Sequence, residues 1–178
     1  MLAVRPGTAG AAARHECCTA FARTIDAGSD HHGRHGSDEQ VRRPLRDLAK
    51  GRVHDYDLRL RRFDDADWQR YGALLAVAFA LAVGRRFRPG QDRAPVIRMV
   101  AGIRERYDRT GRDIDPGTAE ALVWAALGEY PPVPMDQAAI ATQTLLLIGL
   151  LHDEGLSPTD LDAFLRSAED LTKPADQP

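Results

Sequence analysis

The chain has 178 residues, of which 43% are hydrophobic and 28% charged, with a formal net charge of −2. Those proportions suit a globular domain with a sizeable core and exclude a chain disordered throughout. The only two cysteines are adjacent, Cys17 and Cys18, which excludes a disulfide-stapled fold and makes a reducing, cytoplasmic setting the expectation.

Every basic side chain except Lys50 and Lys173 is arginine. With the abundance of Ala, Gly, Asp and Pro, this reads as the codon bias of a high-GC bacterial genome. Arginine richness is therefore weak evidence for phosphate binding here. The charge is also polarised: residues 1–112 carry 22 Lys+Arg against 14 Asp+Glu, and residues 113–178 carry 2 against 12. Acidic helices packed beside basic ones would cancel much of this within the monomer, whereas an uncovered pole would attract a partner of opposite sign.

Residues 1–40 read as a disordered leader, rich in Gly, Ala, Ser, Thr and His and without sustained periodicity. Its first residues lack the apolar run of an export signal. A start codon near Val41 or Val53 would remove the leader from the protein. His31, His32 and His35, with His15, Cys17 and Cys18 upstream, are the donor types zinc prefers. Their spacing matches no closed Cys/His pattern, so fortuitous metal affinity is the expectation and no metal site is assigned.

Residues 41–62 read as a basic connector. Tyr56, Leu58 and Leu60 alternate with Asp57, Arg59 and Arg61, a period of two that suits one short strand; a short helix or an extended arm fits equally well.

Residues 63–172 read as an all-α domain, a compact bundle or orthogonal array of about five helices, followed by a disordered tail over 173–178. Asp64 or Asp65 caps the first helix, Asp67 suits its positive first turn, and Pro89-Gly90 stop it. Its middle is apolar on every side yet small, the pattern of a central helix. The longest apolar run, residues 71–84, falls short of the about 20 residues that span a bilayer, so no membrane association is expected. Asp92 caps a second helix with Pro95 in its first turn; Val96, Val100, Ile103 and Tyr107 form its buried stripe, and Gly111 ends it. Asp115-Pro116 opens a third helix, carrying Ala119, Leu122, Val123 and Leu127 and closed by Gly128. After the stiff Pro131, Pro132 and Pro134 segment, Asp136 caps a fourth, almost continuously apolar over residues 145–151 and ended by Gly155. Ser157-Pro158-Thr159-Asp160 opens the fifth as a variant capping box, with Leu161, Phe164, Leu165 and Ala168 facing inward.

Chemistry-bearing signals are sparse. His152, Asp153 and Glu154 could do acid–base work in a cleft, but a polar helix end is the simpler reading, and its two carboxylates sit at the unfavourable end of the helix dipole. Asp113 and Asp115 read as turn and cap residues, and Trp68 and Trp124 as core or groove anchors. No phosphate loop, nucleophile elbow or His-Glu-x-x-His motif occurs. No catalytic residue and no cofactor is assigned.

Arg85, Arg86, Arg88, Arg98, Arg106 and Arg109 remain as candidate contacts to a partner or to nucleic acid. Asp92, Glu105 and Asp108 are interspersed, and no helix carries side chains set for base edges. The expected function is a small protein-interaction module, regulatory or part of a complex, binding another protein or itself. Three features motivate it: the apolar surplus over residues 145–151, the opposed charge poles and the lack of catalytic equipment. The alternative is a nucleic-acid binder using the arginine face.

Overall fold

The computed structural model describes residues 38–173, and those residues are all-helical with no strand. In chain order the helices are α1 (Asp38–Ala49), α2 (Val53–Leu60), α3 (Asp65–Arg86), α4 (Ala94–Tyr107), α5 (Pro116–Ala126), α6 (Gln137–Glu154) and α7 (Pro158–Asp170). The histidine and cysteine tract of the leader, and almost all of the tail, lie outside the described residues.

α3 is central because its middle is apolar all round. Leu74, Leu75, Phe79 and Val83 are buried, and Ala76, Ala78 and Ala82 between them keep the helix thin. Other helices therefore approach from several sides, and α3 packs against α1, α5, α6 and α7. The run over residues 145–151, expected to offer surplus apolar surface, is largely core: Leu146, Leu147, Leu150 and Leu151 are buried. α6 packs on α1, α3, α4 and α5 at once, so a helix with no polar stripe is satisfied inside the monomer.

Caps define most helix starts. Asp64, Asp115 and Asp136 accept hydrogen bonds from the N–H groups of Asp67 (2.8 Å), Thr118 (2.7 Å) and Ala139 (2.8 Å). Ser157 accepts from the Asp160 N–H at 3.2 Å and donates its hydroxyl to the Asp160 carboxylate at 2.6 Å. This is a variant of the capping box, with Asp in place of the usual Glu and the return contact made to the Ser157 hydroxyl rather than to its backbone N–H. Gly155 ends α6 at φ 63°, a left-handed conformation that glycine adopts without the steric cost of a Cβ.

α4 stops at Tyr107 rather than continuing to Gly111. Asp108 diverts the chain: its carboxylate accepts from the Asp113 and Ile114 N–H groups at 3.1 and 3.2 Å. Burial works against the charged form of Asp108, but these N–H donors and Arg104 outweigh it and hold its pKa below the ordinary carboxylate value. Ile114, fully buried, pins the loop to the core.

Residues 41–62, expected as a connector, carry two helices. Val41 and Leu45 of α1 belong to the core, and Leu45 has 0% exposure. Asp47, 4% exposed, receives Arg59 at 2.6 Å and Arg52 at 2.8 Å. α2 has no fully buried residue; Tyr56 and Leu60 pack against the core, and these ion pairs and the 3.4 Å approach of the Tyr56 and Tyr71 hydroxyls add to that hold. Burial raises the Tyr71 phenol well above its ordinary pKa.

The two charge poles meet inside the chain. Arg42 pairs with Glu169 at 3.1 Å and Arg46 with Asp162 at 2.5 Å, joining α1 to α7. Arg85 pairs with Glu154 at 3.2 Å, and Arg86 and Arg106 pair with Asp153 at 2.8 and 3.0 Å, joining α3 and α4 to the end of α6.

Candidate functional site

The six candidate arginines lie at the end of α3, in the loop after it, on α4 and just past its end, and they divide into two groups. Arg85, Arg86 and Arg106 are taken up by Glu154 and Asp153. Arg85 also lies over the Phe164 ring, 4.6 Å from its centroid, a cation–π contact between α3 and α7. Arg88, Arg98 and Arg109 are exposed and form no ion pair among the described residues. The sequence offered the six as candidate contacts but not this division, because the pairing acids lie 67 and 47 residues away from Arg86 and Arg106.

Asp153 is the hub. Its Oδ2 accepts from Arg86 Nη1 at 2.8 Å and its Oδ1 from Arg106 Nη1 at 3.0 Å. Partial burial favours its neutral form, but the two guanidinium groups prevail and hold its pKa below the ordinary carboxylate value. The Asp153 hydrogen bond is also the first cause of a raised Arg106 pKa. Arg106 Nη1 lies 3.2 Å from His152 Nδ1 as well. The unfavourable placement of two acids at a helix C-terminus is thus compensated by arginines from α3 and α4. His152 and Asp153 sit at the surface, not in an enclosed cleft.

A depression of about 470 Å³ opens between these elements, lined by Arg86, Phe87, Gln91, Pro95, Arg98, Met99, Gly102, Arg106 and Asp153. Pro95, Arg98, Met99, Gly102 and Arg106 repeat at the spacing of one helix face, beside the core stripe of Val96, Val100 and Ile103. Phe87 and Met99 are buried and bring apolar surface to the wall. Gln91 Oε1 accepts from the Arg88 N–H at 3.1 Å, which fixes the amide and leaves its buried Nε2 donor without a protein partner. Glu129 receives the Gly90 N–H and closes the loop against the end of α5.

The two tryptophans behave differently. Trp124 is buried, with Arg93 5.9 Å from its ring centroid. Trp68 is 42% exposed and meets Phe63 and Tyr71 edge-on at centroid distances of 5.5 and 5.9 Å. Among the described residues no group of three His, Cys, Asp or Glu is placed to hold a metal ion, and no helix is long and apolar enough to cross a membrane. No family model matches the chain, and no curated protein or solved structure matches it.

Proposed function

We propose that this chain is a non-catalytic binding module, a regulatory protein or complex subunit of the bacterial cytoplasm. Its docking face is formed by the end of α3, the loop after it and α4, and its partner is an acidic segment of another protein. One observation carries the reading. Arg98 lines the depression without an ion pair, and Arg88 and Arg109, in the loop before α4 and just past its end, are likewise exposed and unpaired among the described residues, while Arg85, Arg86 and Arg106 are neutralised internally. Positive potential beside a partly apolar depression favours acidic protein surfaces and speeds encounter with them. Half of the arginine set is committed to Asp153 and Glu154, and Asp153 itself lines the depression.

The test is fluorescence anisotropy with labelled oligoglutamate and labelled duplex DNA across a salt series. Oligoglutamate binds at low ionic strength and is lost on joint replacement of Arg88, Arg98 and Arg109 by glutamate. Duplex DNA bound more tightly than the peptide, with affinity falling steeply as salt rises, would put the nucleic-acid reading in its place. No binding of oligoglutamate at low salt sinks the proposal.

A further inference from the structure

We infer that the depression beside α4 seats one carboxylate side chain of the partner together with an apolar neighbour, an inference that rests on the docking reading above. The argument begins with Gly102. It contributes no side chain to the α4 face, and a Cβ built there would meet nothing within 4 Å. The helix is therefore indented between Arg98 and Arg106, one turn on either side. Met99 and Phe87, each 4% exposed, reach the wall of that indentation, and Arg86, Arg98 and Arg106 line it with the Asp153 carboxylate to which the first and last are paired.

Asp153 shows how a carboxylate is received here, one oxygen on Arg86 and the other on Arg106. It also holds those two side chains in place, so a ligand meets a preorganised wall rather than ordering it. Arg98 has no such internal partner and is the donor left for an incoming carboxylate. Apolar and cationic surface in one hollow distinguishes this seat from a purely electrostatic patch. It favours a peptide that alternates acidic and apolar residues over a uniformly acidic one.

The experiment uses the full chain and two labelled peptides of equal length, one alternating Glu and Leu and one of Glu alone. The alternating peptide binds about tenfold more tightly. Gly102→Leu, which fills the hollow, and Arg98→Gln, which removes its free donor, each weaken that peptide about tenfold. Arg98, exposed and without an internal ion pair among the described residues, gives a variant that keeps its fold. Equal affinity for the two peptides, or indifference of the alternating peptide to both substitutions, overturns the seat while the docking face stands. Failure of the wild-type chain to bind either peptide overturns both. Light scattering completes the test: a dimer broken by Gly102→Leu assigns the hollow to a second copy and overturns the external partner.

Discussion

Ile103 of α4 lies directly against the backbone of Gly149 in α6, so closely that a Cβ at Gly149 would stand 2.6 Å from both Cγ1 and Cδ1 of the isoleucine. The two helices approach at this point because one of them has no side chain there. Gly149→Ala therefore sets a gain in helix propensity of about 1 kcal/mol against overpacking that costs about 1–3 kcal/mol. Ile103 is β-branched and stiff at χ1, so the clash prevails and the variant is destabilised. Denaturant titration of Gly149→Ala, Ile103→Ala and the double variant checks this, and the double variant should lose less than the sum of the singles.

Gly84 provides the opposite case. It lies inside α3, and a Cβ there meets nothing within 4 Å. Gly84→Ala should stabilise the fold by about 0.5–1 kcal/mol through the unfolded chain and the helix backbone. An unchanged or lowered melting temperature would show that the end of α3 is more crowded than its geometry indicates.

Leu45→Ala tests whether α1 belongs to the cooperative unit. Leu45 is fully buried in the core, and its truncation should cost about 2–5 kcal/mol. A chain starting at Val53 lacks all of α1 and should lose sharp thermal unfolding, whereas one starting at Asp38 should keep it. Equal melting curves for the two truncations would contradict the packing of α1.

The acid response of Asp153 has a defined sign. Its folded pKa is lowered, so the stability it contributes is present above its unfolded pKa of about 3.9. That contribution is lost as the pH falls through the folded value. Carboxyl-detected NMR titration should find Asp153 ionising below an ordinary aspartate. Arg106→Gln should raise that pKa, and an unmoved titration would place the cause elsewhere.

Asp136→Ala removes the cap whose oxygen accepts the Ala139 N–H. The expected cost is about 0.5–2 kcal/mol, with Asp136→Asn close to wild type. Equal loss in the two variants would point to charge rather than to the hydrogen bond.

The five helices from Asp65 to Asp170 were legible because four begin with an Asp or Ser cap and each carries a long apolar stretch or stripe; α4 is the exception at its start, where Arg93 holds the cap position without a side-chain cap bond and the expected Asp92 lies one residue earlier. α1 was not. Pro44 sits inside it, lacks the N–H that would reach back one turn, and crowds the preceding carbonyl. Local preference argues against helix there, and the burial of Val41 and Leu45 overrides it. The candidate surface was half legible. The arginines are visible as a cluster in the sequence, but their division by Asp153 and Glu154 arises only when the end of α6 comes beside α3 and α4. The hollow was hidden altogether, since its defining residue is the side chain Gly102 does not have. Asp108 read as one more charge on a mixed helix, and only the turn it organises with Ile114 reveals its role.

α2 rests on the rest of the molecule through the partly buried Tyr56 and Leu60, the ion pairs at Asp47 and the Tyr56–Tyr71 contact, with no side chain of its own fully buried. Such a segment can lift away without melting the core. Its amide protons should exchange with deuterated solvent far sooner than those of α3 or α6, and faster still as added electrolyte screens the Asp47 pairs. A protease would find its first cut there.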